Sequence, residues 1–264
     1  MRTTSNPAFR NLPRGFGNYA GFDAQGRSGV SGPGYAPGSS PYQQGAAERP
    51  MTIDDVVLKT AITLGLAVVT GALTIALHLT WLALPAFVVG LVLSLVIIFK
   101  RKPSGPLVLT YAAAEGIVLG AITGLFDSIY PGIAFQAIAG TFGVFAAMLI
   151  VYKTGAIRVT PRLTKWIIGA TVGVLVVLLA NLVVGLFGVD LGIRDGSPLS
   201  IVISIVIIGI AAFNLLLDFD QADRMIRAGL PAKWGWYAAF GLMVTLVWLY
   251  LEILRLLSYL QRGN

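Results

Sequence analysis

The chain has 264 residues, of which 56% are hydrophobic and only 12% are charged, and its formal net charge is +7. Soluble domains carry roughly 25% charged residues, so this composition indicates an all-α polytopic membrane protein in contact with the lipid bilayer. The chain has no cysteine and one histidine, which excludes disulfides, thiolate ligands and histidine-rich metal centres. No helix-turn-helix, zinc-finger or basic-aromatic pattern accompanies the positive charge, so we expect no nucleic-acid partner.

Residues 1–50 are rich in Gly, Pro, Ser and Tyr and contain no apolar run that could form a core. We predict a disordered tail there, which either binds a partner or has no specific role, and a seven-helix membrane domain over residues 51–264. The first helix is predicted to begin with Thr52 as its N-cap. Asp54 and Asp55 then lie in the first turn, near the positive end of the helix dipole.

The membrane domain contains seven apolar runs that fit the length of about 20 residues needed for one span. Prolines fall at their boundaries, where they break no helical hydrogen bond. The predicted spans are Val56–Leu79, Trp81–Phe99, Leu107–Phe126, Ile133–Tyr152, Lys165–Phe187, Leu199–Asp218 and Trp234–Leu260.

The basic residues are distributed unequally between the two sides of the predicted membrane domain. Sixteen of the nineteen lie in the tail or in the connections on one side, and the connections on the other side hold only Arg194. Because Lys and Arg are retained in the cytoplasm, we expect a multi-pass protein of the plasma membrane, with its N-terminus cytoplasmic and its C-terminus outside.

Glycines recur at intervals of four residues in two of the spans. Gly116, Gly120 and Gly124 share one face of the third span, and Gly169 and Gly173 share a face of the fifth. This spacing predicts close helix packing at both places.

Acidic residues inside the spans are costly and therefore candidates for function. Glu115 is predicted to lie roughly 12 Å into the third span, Asp218 near the edge of the membrane and Glu252 about 21 Å along the seventh span. Such a series favours a proton or cation path. The alternatives are that Glu252 is neutralised by Arg255 on the same helix face, that Asp218 is an ordinary interfacial acid, and that Glu115 is hydrogen-bonded to a polar residue such as Asn214.

Four motifs resemble the Bax inhibitor family, also called transmembrane Bax inhibitor motif proteins, in its bacterial form. They are F-K-R-K-P at residues 99–103, Y-A-A-A-E-G-I in the third span, L-L-L-D-F-D-Q at the end of the sixth and L-Y-L-E-I-L-R-L-L in the seventh. The resemblance covers roughly residues 55–260.

The resemblance implies seven helices with the last at the centre, wrapped by the other six, and a pH-sensitive leak of cations, chiefly calcium. It implies that Asp218 and Glu252 form the gating pair and that Arg101 or a neighbouring lysine latches onto them. Asp220, which follows Asp218 on the predicted cytoplasmic side, is a secondary candidate. Ca²⁺ or H⁺ would be a permeant or regulatory ion, bound transiently near the pair, and no resident cofactor is implied.

Two other functions remain open at this point. The first is regulation of a membrane protease or a stress response through contacts with a membrane-protein partner. The second is proton-coupled transport of a small solute. An enzyme is not expected, because the sequence shows no set of nucleophile and base.

Overall fold

The structure is a computed structural model that describes residues 49–101, 103–188 and 192–262. The prediction of disorder for residues 1–50 therefore falls outside the described residues, except at Arg49 and Pro50. The described chain forms seven helices that are long and apolar enough to cross a membrane, which confirms the predicted architecture. They are α1 (Ile53–Ala76), α2 (Ala83–Lys100), α3 (Gly105–Ile129), α4 (Ile133–Thr154), α5 (Pro161–Leu186), α6 (Pro198–Arg227) and α7 (Gly235–Arg262).

Local sequence sets several of the helix ends. The backbone N–H of Asp55 donates to the Thr52 hydroxyl, and the Asp55 carboxylate accepts from the Thr52 backbone N–H at 3.0 Å, which confirms the predicted cap of α1. Prolines occupy the first position of α5 and α6. Gly155 ends α4 in the left-handed conformation, with φ of 68°.

The sixth helix is longer than the sequence predicts. The predicted span ends at Asp218, where the chain becomes polar, but α6 continues to Arg227. Two ion pairs, each four residues apart, stabilise the extension, with Asp220 2.6 Å from Arg224 and Asp223 2.5 Å from Arg227. Asp218 therefore lies within a continuous helix, more than two turns from its end.

The last helix is the centre of the described bundle, as the family resemblance implies. Within an apolar 18-residue stretch of this helix, 61% is buried inside the protein, whereas the corresponding share for α5 is 6%. The helix packs mainly against α1, α3, α4 and α6, while α2 packs on α3 and α5 packs on α6. Four of the other six helices therefore surround α7 directly, as expected. The remaining two, α2 and α5, form an outer layer.

Two apolar clusters include residues of α7. One joins α7 to α4 and α6 around the fully buried Leu215 and Leu249. The other joins it to α2 and α3 around Val108 and Met243, both also fully buried. A displacement of α7 would disturb both clusters.

The glycine prediction holds for α3 and fails for α5. A Cβ on Gly116 would lie 2.8 Å from the Cα of Ala67, and a Cβ on Gly120 would lie 2.7 Å from the Cα of Gly71, so the backbones of α1 and α3 are in contact. A Cβ on Gly169 or Gly173 would meet nothing within 4 Å. The α5 prediction was wrong because α5 packs mainly on α6 and no atom of another helix comes close to these two glycines.

The segment before α1 is fastened to the connection between α6 and α7. The backbone N–H of Met51 donates to the Leu230 carbonyl at 2.7 Å, and that of Ala232 donates to the Arg49 carbonyl at 2.9 Å. The buried carboxylate of Asp55 pairs with Arg49 at 2.7 Å and with Lys59 at 3.6 Å, and the Lys59 ammonium donates to the Ala232 carbonyl. The start of α1 therefore fixes the position at which α7 begins.

Candidate functional site

The first acidic site joins α6 to α7. The Thr245 hydroxyl of α7 donates a 2.5 Å hydrogen bond to Oδ2 of Asp218 on α6. Asp218 is half-buried and Thr245 is buried. The neighbouring α7 residue is Gly241, where a Cβ would lie 3.9 Å from Oδ1 of Asp218. Among the described residues Asp218 has no ion-pair partner, so its interhelical bond depends on Thr245.

The second acidic site lies further along α7, at the buried Glu252, which is 3% exposed. Its Oε1 accepts from Nη1 of Arg255 at 2.7 Å and, at a longer 3.4 Å, from Nη2 of Arg194. Its Oε2 is buried and has no hydrogen-bond partner within the part of the chain that the structure describes. An unpaired buried carboxylate oxygen is rare because its desolvation is not compensated.

The connection before α6 is attached to the same end of α7. The Tyr259 hydroxyl donates to the Arg194 carbonyl at 3.2 Å, and Arg262 reaches the Asp195 carbonyl at 3.5 Å. Within the connection, the Asp195 carboxylate accepts from the Ser197 backbone N–H at 2.9 Å and from the Ser200 hydroxyl at 2.7 Å. Residues 192–197 of the α5–α6 connection thus lie at the C-terminal end of α7, which therefore crosses the bundle completely.

Asp195 and Arg194 of this connection stay in their ionised forms over the neutral range. The backbone N–H of Ser197, followed by the hydroxyl of Ser200, lowers the pKa of Asp195 to about 2. Burial, and then the neighbouring Arg255 guanidinium, lowers the pKa of Arg194, while Glu252 opposes this effect. Arginine nevertheless remains protonated in proteins. Neither Asp195 nor Arg194 is therefore a candidate for sensing a change between about pH 6 and about pH 8.

The two acids do not form the pair that the resemblance implies. Asp218 is bonded to Thr245, which precedes Glu252 by seven residues, or about 10 Å of helix. The sequence estimate also kept the two acids apart, but it placed Asp218 near the membrane edge, whereas the structure places Asp218 level with Thr245, within the bundle. The structure shows two separate carboxylate sites along α7 instead of one shared site.

The remaining candidates lie apart from both acids. Glu115 lies beside Tyr111 one turn earlier on α3 and 3.5 Å from the position of a Cβ on Gly90 of α2. Asp220 pairs with Arg224 at the end of α6. Asn214 donates to Thr171 at 2.8 Å and not to Glu115.

The predicted latch from Arg101 is not formed. Arg101 ends α2 with φ of 45°, its side chain is exposed, and it makes no ion pair with a described residue. The basic partners of Glu252 are Arg255, as the neutralising alternative expected, and Arg194. The resemblance pointed to α2 because of the position of F-K-R-K-P along the chain, but the fold places a different cation against the acid.

Two residues of these sites were missed by the sequence reasoning. Arg194 had a usable signal, because it is the only basic residue in the connections on its side of the membrane. The seventh span ends on the same side, so a contact between Arg194 and Glu252 could have been predicted from the sequence. Thr245 had no such signal, because threonine is common in membrane helices and its partner depends on how α6 and α7 pack.

Within the described part of the chain, neither acid belongs to a larger cluster of metal ligands. Among the described residues, no three His, Asp or Glu side chains converge on one position. Calcium is normally bound by six to eight oxygens, so either carboxylate alone is a weak ligand. Transient binding of Ca²⁺ near Asp218 or Glu252 stays a prediction.

A cavity of about 220 Å³ lies elsewhere, between α1, α3, α4 and α7. Its lining is apolar apart from Thr123, Thr141 and Tyr250, and the Thr123 and Tyr250 hydroxyls are hydrogen-bonded to each other at 2.7 Å. Neither Asp218 nor Glu252 lines this cavity, so it does not connect the two acidic sites.

The family described as Bax inhibitor 1 like matches residues 10–262 through its sequence model. The match includes all seven helices and both acidic sites. A comparison with curated proteins found no match.

Proposed function

Because this chain belongs to the Bax inhibitor 1-like family, we propose that it is a pH-sensitive calcium leak channel gated at Asp218 and Glu252. Its seven membrane-spanning helices make it a multi-pass integral membrane protein. In this channel, Asp218 on α6 and Glu252 on α7 are the groups that bind and release protons as the pH changes. Calcium and protons are the permeant and regulatory ions.

The observation that supports gating is that a carboxylate holds the central helix at each of two places. Asp218 joins α6 to α7 through Thr245, and Glu252 joins α7 to the α5–α6 connection through Arg194. Hydrogen bonds to a carboxylate oxygen are roughly twice as strong when the carboxylate is ionised as when both partners are neutral. Protonation would weaken both attachments, so acidification favours movement of α7 relative to its neighbours.

The distribution of basic residues supports an orientation for the channel. We place the α2–α3, α4–α5 and α6–α7 connections, with the tail, in the cytoplasm, because sixteen of the nineteen Lys and Arg residues lie in them or at the helix ends beside them. The Asp218 site then lies nearer the cytoplasmic side. The Glu252 site, together with Arg194, lies nearer the outer side of the plasma membrane.

Calcium uptake by liposomes containing the purified protein tests this function. We expect wild-type uptake to be faster at about pH 6 than at about pH 8, and Asp218→Asn and Glu252→Gln each to reduce that dependence on pH. Asp54→Asn is the matched control, because Asp54 is an exposed carboxylate at the start of α1. Uptake no faster than in empty liposomes at every pH would overturn the proposal.

Thr245→Val should reproduce the effect of Asp218→Asn on calcium uptake. The substitution keeps the shape of the side chain and removes the hydroxyl that donates to Asp218, so this hydrogen bond between α6 and α7 is lost. We expect uptake at about pH 8 to rise roughly fivefold, which corresponds to the loss of one hydrogen bond of about 1 kcal/mol.

Thr245→Ser is the matched control for this prediction, because it retains the donor. Uptake at wild-type rates in Thr245→Val, with normal uptake in Thr245→Ser, would show that the hydrogen bond has no part in gating.

The two other functions predict different results. A regulator of a membrane protease or stress response would show no calcium uptake, and removal of residues 1–50 would impair it more than substitution of either acid. A proton-coupled transporter would show saturable uptake of a defined solute that depends on a proton gradient.

A further inference from the structure

We propose that Arg194 is a positioning residue that fastens the α5–α6 connection over Glu252 and thereby keeps the outer end of the channel closed. This inference rests on the proposed function and adds a gating residue to it. It differs from the expected arrangement, in which the cation comes from the end of α2.

The geometry shows a connection attached to α7 at three points. Arg194 reaches Oε1 of Glu252 at 3.4 Å through its side chain, and its own carbonyl accepts from Tyr259 at 3.2 Å. One turn further along the same face, Arg262 reaches the carbonyl of Asp195. Of these attachments, the contact between Arg194 and Glu252 is the one that joins two opposite side-chain charges.

The charges at this end of α7 exclude a cation while the connection is in place. Two guanidinium groups, from Arg194 and Arg255, converge on a single oxygen of Glu252. Oε2 of Glu252 is a buried acceptor with no described partner, but the guanidinium of Arg194 opposes the approach of a calcium ion to it. Glu252 can therefore serve a permeant cation only after Arg194 has moved away.

Arg194 is better placed to move than Arg255. Arg255 is fixed three residues from Glu252 on the same buried helix. Arg194 lies in a non-helical connection between Gly192 and Gly196, which have φ of 64° and 88°. Changes of backbone conformation during opening are concentrated in such connecting residues, and glycine adopts positive φ without strain.

Calcium uptake at a fixed pH of about 7.5 tests the role of Arg194 in the full-length protein. We expect Arg194→Gln to raise uptake roughly tenfold, which is the effect of losing one hydrogen bond between charged groups. Arg194→Lys, which keeps the charge, should restore uptake to nearly the wild-type rate. In a Glu252→Gln background, Arg194→Gln should produce no further increase, because the partner is already neutral.

Hydrogen exchange in the same proteins provides a measurement that does not require conduction. We expect Arg194→Gln to increase amide exchange in residues 192–200 and at the end of α7, and Arg194→Lys to leave it unchanged. Arg227→Gln is the matched control, because Arg227 is an exposed arginine in an ion pair at the end of α6. It should alter neither exchange in these segments nor uptake.

The outcomes separate this inference from the proposed function. Uptake that is absent in every protein, with increased exchange in Arg194→Gln, would overturn the channel function and support the fastening of the connection. Normal wild-type uptake that Arg194→Gln leaves unchanged would overturn the role of Arg194 in gating. An equal increase of uptake in the wild-type and Glu252→Gln backgrounds would also overturn it, because Arg194 would then act on another group.

Discussion

Gly120→Leu is expected to destabilise the membrane domain by about 3 kcal/mol, one of the largest effects of any single substitution. The backbones of α1 and α3 touch at this position, and a Cβ on Gly120 would lie 2.7 Å from the Cα of Gly71. The clash is with backbone atoms, so a change of side-chain rotamer cannot relieve it. The two helices have to separate, which exposes the buried Ala67 and Thr74 of α1.

Thermal unfolding of the detergent-solubilised protein, followed by the loss of the monodisperse peak on size exclusion, measures this effect. Gly169→Leu is a matched control, since it introduces the same side chain into a membrane helix where a Cβ meets nothing within 4 Å. We expect that control to unfold at the wild-type temperature. Equal midpoints for the two variants would contradict the close packing of α1 on α3.

Asp55→Ala is expected to destabilise the protein by about 2 to 3 kcal/mol. The substitution removes one half of the α1 capping box and leaves Lys59, whose side chain is 13% exposed, without its carboxylate. Breaking a buried ion pair by removing one partner costs more than the pair contributes, because the remaining charge stays buried. The attachment of α1 to the α6–α7 connection would also weaken.

Limited proteolysis together with thermal unfolding measures the effect of Asp55→Ala. We expect faster cleavage near residues 228–234. Asp55 pairs with Lys59, and Lys59 in turn donates a hydrogen bond to the Ala232 carbonyl of that connection, so loss of Asp55 weakens this contact. The neighbouring Asp54 is exposed and lies in the same first turn, so Asp54→Ala controls for loss of an acid near the helix dipole. A similar loss of stability in both variants would show that the buried ion pair makes no special contribution.

Much of the fold could be predicted from the sequence because the membrane imposes a simple rule. Each span must satisfy its own backbone hydrogen bonds, so apolar runs of sufficient length become helices. The cap at Thr52, the glycine contact at Gly116 and Gly120, and the count of seven spans all follow from local pattern. The predicted end of α6 was wrong, because the last part of this helix is polar and stabilised by ion pairs, so no apolar run marks it in the sequence.

The acidic sites could be predicted only in part. An acid inside an apolar run is conspicuous because placing it in the membrane is energetically costly. Asp218, Glu252 and Glu115 were therefore predicted as candidates without the structure. Arg255 was expected as a partner of Glu252 because the two lie three residues apart on one helix. The bond from Thr245 to Asp218 could not be predicted, because a hydrogen bond between helices depends on the rotation and axial position of each helix. The rotation and axial position of a helix are set by packing across the whole bundle, so they cannot be inferred from the sequence around either residue.

By itself the sequence determined that this is a seven-span membrane protein of the Bax inhibitor type, with three acids in its spans. The tertiary structure decided that Asp218 meets Thr245, that Glu252 meets Arg194 and Arg255, and that the two acids stay about 10 Å apart along α7. The physical reason is that composition and periodicity fix which segments enter the membrane. The contacts of one buried side chain depend instead on residues far apart in the chain, such as Arg194 and Glu252, which meet only after α5, α6 and α7 have packed.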